Sequence, residues 1–365
     1  MRALDVLRSD AISPVRDLAI QRHLLAQMER PREGAPRPPT LHLGWIAGSA
    51  IALGRFQRRR AALAAAVPGT VPVLVRSTGG RAVRMATGQL SVSLAMSDPS
   101  SGLPPGSGAI GAEKVINRYV RGVLGGLQKC GLRAYYFGRD FLSVDRKHGG
   151  YVSFEVAPGG ATLFNALISV EATTVLPADW NGYPGDGGNR PDPETTTLAT
   201  ERGGAVDRGE IEAAIIGSYA RLQEVEPRDR TLSPLEATLL GERESAVVWD
   251  GEAELFGEAE WRDSTLTPIA CGWLQASVQV VQDRFLGAVR LFGDFMAPSG
   301  AIDSLERDLR LVPIDWREVG LVADRIFGGQ RNPIVGVRQL RVIPDAILEA
   351  ARGGAPGDGE LPPAG

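Results

Sequence analysis

The chain of 365 residues is 43% hydrophobic and 23% charged, an ordinary balance for a globular protein that forms two domains, or one large domain with an appendage. A formal net charge of −3 gives no electrostatic reason to expect nucleic acid or a membrane surface as partner, and no apolar run reaches the about 18 residues of a membrane helix. The two cysteines, Cys130 and Cys271, make no disulfide framework, the three histidines, His23, His42 and His148, share no metal-ligand spacing, and the N-terminus, with Arg2, Asp5, Arg8 and Asp10, lacks a signal-peptide core, so the reading is a cytoplasmic protein without a structural metal.

In chain order, Pro14–Met28 has helical periodicity, with Val15, Leu18, Ala19, Leu24 and Leu25 near one face. A Pro/Gly-rich break, Pro31–Pro39, ends it. Leu41, Leu43 and Trp45 alternate as a strand, and a second strand, Ser49–Leu53, runs into Gly54-Arg55-Phe56-Gln57. A short basic cluster, Arg58–Arg60, and an alanine-rich helix, Ala61–Ala66, precede the central stretch Val73–Ser93. That stretch reads as strand, glycine turn and strand. Gly79 and Gly80 lack a Cβ, so backbone N–H groups there can approach an anion, and Arg76 and Arg81 place guanidinium groups on the same loop. A tight hairpin with two solvated arginines fits the same residues. Neither a P-loop nor a GxGxxG dinucleotide spacing is present.

A loop at Asp98–Gly108 leads to an amphipathic helix over Ala112–Cys130. Ala134–Val144 reads as strand and Arg146-Lys147-His148-Gly149-Gly150 as a basic glycine turn; strands Tyr151–Val156 and Ala161–Val170 follow as an antiparallel meander. Pro177–Gly204 is rich in Gly, Pro, Asp, Asn and Thr and reads as a flexible loop, an ordinary surface insertion. Glu210–Leu222 is helical, and Ser233-Pro234-Leu235-Glu236 has the form of a helix start. After Trp261 a smaller unit begins: a half-buried strand over Trp273–Val280, a partner strand Leu286–Phe292, Gly293-Asp294-Phe295, and helices near Ser299–Leu309 and Asp315–Ile326. The tail Gly353–Gly365 reads as disordered.

The run Arg76, Thr78, Gly79, Gly80, Arg81, Ala82, Val83 resembles the signature loop of the lipoate–protein ligase and octanoyltransferase family, which is related to biotin ligases. The Leu53-Gly54-Arg55-Phe56-Gln57 piece, the helix after the loop, Asp145-Arg146-Lys147-His148-Gly149-Gly150 and the strand-pair-plus-helices unit resemble further family pieces in the same order. The resemblance implies an α+β fold with a mixed, largely antiparallel sheet flanked by helices, over residues 1–230, then a linker at 231–262, a small α+β accessory domain at 263–350 and the tail at 351–365. It implies an enzyme that activates lipoic or octanoic acid with ATP and Mg²⁺ to the acyl-adenylate and passes the acyl group to a lysine of a lipoyl carrier domain. Lys147 is the implied catalytic cation, reaching carboxylate and phosphate. Arg76 and the loop Ser77, Thr78, Gly79, Gly80, Arg81 and Ala82 would hold the nucleotide phosphate and the acyl carboxylate, and Gln89, Asp140 and Gly150 complete the implied binding set.

The chain departs from the family pattern where His-Asp usually follows the loop, which here reads Met85-Ala86, and where Asn-Asp precedes the lysine, which here reads Arg139-Asp140. These losses fit a changed substrate or a non-catalytic member that binds acyl groups or carrier protein. The related octanoyltransferases use a cysteine in place of ATP. The nearest candidate here, Cys130, falls at a helix end where a packed thiol is the simpler reading.

Overall fold

A computed structural model describes residues 2–29, 37–57, 69–177, 194–248, 260–329 and 332–353. Arg58–Arg60, the Ala61–Ala66 helix, most of the Pro31–Pro39 break and nearly all of the tail lie outside these residues. The fold is α+β, as the sequence predicts. Its largest sheet has eight strands: β1 (Ala3–Ile12), β2 (Thr40–Ile46), β6 (Leu90–Met96), β7 (Ala134–Tyr136), β8 (Phe141–Val144), β9 (Lys147–Val156), β10 (Thr162–Ile168) and β11 (Glu226–Asp229). Their order is β11-β1-β2-β6-β10-β9-β8-β7. Pairing is antiparallel except that β1 runs parallel to both β11 and β2. A small sheet, β3 (Ser49–Leu53) between β4 (Val73–Val75) and β5 (Val83–Ala86), carries the glycine loop.

Helices α2 (Val115–Lys129) and α4 (Arg208–Gln223) cover one face of the large sheet. Val115, Ile116, Tyr119, Val123 and Leu127 of α2 meet Val152, Phe154 and Phe164 in one buried core. The two helices touch closely because Gly126 has no side chain: a Cβ there would sit 2.7 Å from the Cα of Ile215. Helix α1 (Pro14–Glu29) helps form a second core, where Leu18, Leu24 and Leu25 join Ala52, Leu74 and Met85 of the small sheet and Leu163 of the large one. A third core builds the C-terminal unit. There β14 (Gly272–Val281) pairs on one side with β12 (Arg262–Asp263) and β13 (Thr267–Ile269) and on the other with β15 (Phe285–Gly293). Helices α6 (Ser299–Asp308), α7 (Trp316–Phe327) and α8 (Val342–Ala351) pack on these strands.

Several sequence expectations are corrected. The charged N-terminus, which the sequence reading leaves without an element, is strand β1, an interior strand whose Leu4 and Val6 enter the core while Arg8 faces outward. The stretch 134–144 is two strands rather than one. The turn placed at Arg146–Gly150 is tighter: Asp145 and Arg146 have φ of 49° and 67°, the left-handed pair of a two-residue hairpin, and Lys147 already begins β9. Of the loop at 177–204, the described end holds a short helix, α3 (Leu198–Arg202), and residues 178–193 lie outside the described set. The helix start read at Ser233–Glu236 is present: α5 (Pro234–Ser245) begins at the capping box of Ser233 and Glu236, with Leu240 buried in the core of α1.

Candidate active site

The strand periodicity of β9 builds the site. Val152 and Phe154 point into the helix-side core, which leaves Tyr151, Ser153 and Glu155 on the other face. The glycine loop lies against that face. The Ser153 hydroxyl donates to Thr78 Oγ1 (2.9 Å) and the Tyr151 hydroxyl donates to the Gly79 carbonyl (3.0 Å). Burial pushes the Tyr151 phenol up to about 12.

Arg76, 3% exposed, is the internal brace of the loop. Its Nη2 donates to the Arg81 carbonyl (2.6 Å) and, at longer range, to the Gly79 carbonyl and the Tyr151 hydroxyl. The guanidinium stands 4.5 Å over the Tyr151 ring. Its Nη1 is buried with no hydrogen-bond partner among the described residues. Arg81 pins the far side of the loop: Nε and Nη2 donate to the two carboxylate oxygens of fully buried Asp140, at 2.5 and 3.1 Å. Ser77 is buried beside these groups, and Ala82 packs with Ile51, Leu53 and Val73 on the outer face of the small sheet.

The C-terminal unit seats on the same loop. The Gly80 N–H donates to the Phe295 carbonyl (2.7 Å), and the Gly293 N–H to the Phe56 carbonyl (2.9 Å). Phe56 stacks on Phe295 at 5.0 Å. Gln57 Nε2 donates to Asp294 Oδ1 (2.5 Å), and the Ser299 N–H to Glu155 Oε1 (3.0 Å). Arg139 Nη2 donates to the Ala270 carbonyl (3.1 Å). Two buried carboxyls therefore lie at this seam. Burial raises Glu155 to about 7 and Asp294 to about 6.

The structure brings together Arg76, Ser77, Thr78, Gly79, Gly80, Arg81, Ala82 and Asp140. It keeps Lys147 apart. Lys147 stands opposite Val144 in the ladder, and Val144 belongs to the helix-side core, so the lysine issues from the face opposite the loop. Its Nζ pairs with Glu201 Oε1 at 3.0 Å, and that hydrogen bond holds the ammonium above its ordinary pKa. Four residue steps along β9 carry the strand from Lys147 to Tyr151, about 13 Å. Gln89, expected to face a nucleotide, is fully engaged in the β5–β6 turn: Oε1 accepts from the Ala86 N–H (2.9 Å), and Nε2 donates to the Thr173 and Arg84 carbonyls (2.8 and 3.2 Å). At Gly150 a Cβ would approach the Leu167 carbonyl to 2.6 Å, so its smallness serves close strand pairing. Met85 fills the second core, and Ala86 is buried beside it in β5. Cys130 is buried, with its thiol pushed up by burial. Sequence reasoning missed Tyr151, Ser153, Glu155 and Asp294; the available signal was a polar face, Tyr-x-Ser-x-Glu, on a strand otherwise apolar.

An open cleft of about 1050 Å³ lies elsewhere, where Val156 and Pro158 at the end of β9 face Pro298 and Ala301 of the C-terminal unit; it is lined by none of the residues of the loop. Among the described residues no three His, Cys, Asp or Glu side chains gather as a metal site, and no helix is long and apolar enough to cross a membrane.

No protein-family model matches the sequence, and no curated protein matches it. Solved structures do match. The chain is similar to LipL1 of P. falciparum, solved in complex with lipoate, at 14% identity and a TM-score of 0.62, over 89% of this chain and 95% of that one. It is similar to lipoate-protein ligase A, solved with ATP bound, at 16% identity and a TM-score of 0.50, over 67% of this chain and 95% of that one. These likenesses establish the fold as that of the lipoate–protein ligases. The LipL1 match spans more of the chain than residues 1–260 contain, so it extends into the C-terminal unit.

Proposed function

We propose that the chain is a lipoate-ligase-like acyl ligase. A carboxylate oxygen of lipoate or octanoate attacks the α-phosphate of ATP, forming the acyl-adenylate as the bond to pyrophosphate breaks. A lysine amine of a carrier domain then attacks the acyl carbonyl, and AMP leaves. The observation that carries this reading is Arg76: a buried guanidinium whose Nη1 has no partner among the described residues, inside a loop whose residues resemble the family signature, on the family's fold. Such a group is organised before any anion arrives, which is what stabilising charge at a transferring phosphate requires. Mg²⁺ would come with the nucleotide phosphates and would neutralise their charge there. Lys147 is proposed as the second cation. To act it must leave Glu201 and turn toward the loop.

A second reading has its own support. The Gly80 N–H already meets Phe295, and Lys147 is held on the far face, an arrangement that suits a non-catalytic acyl or carrier-protein binder. Pyrophosphate release with ATP, Mg²⁺ and either lipoate or octanoate separates the two. Release that requires the fatty acid and is lost in Lys147→Ala is the result expected of the ligase. No release with either acid overturns adenylation, and calorimetric titration with octanoate then tests the binder.

A further inference from the structure

The large sheet ends at β7, and two aromatic rings stand uncovered there. Tyr135 is 44% exposed and Phe137 64%, and their rings stack at 6.1 Å. The turn that follows is open: a Cβ at Gly138 would meet nothing within 4 Å. The pair continues inward as an aromatic path on the face that carries the glycine loop. Tyr135 stands opposite Ser143, and Ser143 opposite His148. His148 stacks on Phe141 at 4.8 Å, Arg139 lies 5.1 Å over the same ring, and Phe141 stands opposite Tyr151, the ring beneath Arg76. Only Gly138 and Arg139 lie between Phe137 and Asp140, so three residue steps span at most about 11 Å.

The charge around the pair is more basic than that of the whole chain. Arg133, its side chain 76% exposed and its Nε paired with Asp145 at 2.7 Å, precedes it, Arg139 follows it, and Arg146 is exposed in the next turn, in a chain of net charge −3. Exposed Tyr and Phe beside Arg is the composition of an interface centre rather than of an ordinary solvated edge.

We propose that Tyr135 and Phe137, rimmed by Arg133 and Arg146, are the docking surface for the acceptor protein: a folded carrier domain that presents its lysine beside carboxylates. This rests on the acyl-ligase reading for the identity of the partner. Seated on the pair, such a domain brings its lysine to the Arg81–Asp140 side of the loop.

The test uses the full chain and a lipoyl carrier domain lacking lipoate, followed by calorimetry and by initial rates of acyl transfer. Phe137→Ala and Tyr135→Ala should each weaken carrier binding, or raise the KM for carrier, by about tenfold or more. Both should leave kcat and fatty-acid-dependent pyrophosphate release as in the unaltered chain. Arg133→Glu with Arg146→Glu should weaken binding further and flatten its dependence on salt. Should the chain release no pyrophosphate, the ligase reading falls, while carrier binding that is sensitive to Phe137→Ala still supports the surface. Carrier binding unchanged by both aromatic substitutions, no carrier binding by the unaltered chain, or self-association that buries the pair would each overturn it.

Discussion

The backbone N–H of Gly80 donates to the carbonyl of Phe295 across 215 residues of sequence, at 2.7 Å. The loop is therefore gripped from both sides, by β9 beneath it and by the C-terminal unit above. Gly80 has a φ of 95°, and a Cβ there would sit 1.7 Å from the Tyr151 hydroxyl. Gly80→Ala should cost about 2–5 kcal/mol in denaturant unfolding, combining backbone strain with overpacking. A loss under about 1 kcal/mol would mean that the loop does not hold this conformation in solution.

Arg81 and Asp140 test whether the loop is set by charge or by shape. Asp140 is fully buried, so removing its partner leaves a carboxylate in the interior. Arg81→Met alone should destabilise the chain by about 3 kcal/mol, whereas Arg81→Met with Asp140→Leu should lose less than the sum of the two single changes. Strict additivity in equilibrium unfolding would show that the two side chains do not interact.

The seam between sheet and C-terminal unit should make stability depend on pH. Glu155 and Asp294 titrate near 7 and 6, against usual values of 4.5 and 3.8. Between those limits the native state keeps protons that the unfolded chain has released. The stability these groups contribute is thus complete below about pH 4 and is lost as pH rises toward 7. For Glu155 the difference is on the order of 3 kcal/mol. Asp17, buried and raised to about 7, adds to the same slope. Urea unfolding at a series of pH values from 5 to 8 should show a falling midpoint, and Glu155→Gln, which keeps the acceptor for Ser299, should flatten it. An unchanged slope in that variant would remove Glu155 as a cause.

The sequence made the scaffold legible where periodicity was strong. The stripe Val115–Leu127 on α2, the alternation of Trp273–Val280 and the Ser233–Glu236 cap all appear where their patterns predict. The small residues and arginines of the loop were equally plain. What the sequence did not display was direction. Lys147 sits in a matching run of residues, yet the register of β8 against β9 puts it on the helix side, and one residue of slip is enough to reverse a face. Gln89 was read as polar and therefore available, whereas its amide closes a turn. Strand β1 was hidden because Asp5, Arg8 and Asp10 make an interior strand look like a solvated terminus; their partners, Arg228 for Asp5 and Asp229 and Glu212 for Arg8, lie more than 200 residues away.

The two thiols give the sharpest test against a cysteine mechanism. Transfer through a covalent thioester needs a thiolate that is both accessible and ionised near neutral pH. Cys130 is 9% exposed at the end of α2, its Sγ lying 4.0 Å from the Glu210 carbonyl, and burial moves its pKa upward. Cys271 is more deeply buried and raised further, with Asp140 adding to the effect of burial. In the native chain a chromogenic disulfide reagent should therefore titrate neither thiol rapidly, and both should appear on unfolding in denaturant. Cys130→Ser should leave acyl transfer unchanged, because the thiol serves the helix-side core and not the reaction. One fast-reacting thiol that maps to Cys130, together with loss of transfer in Cys130→Ser, would replace ATP-dependent activation with a thioester route.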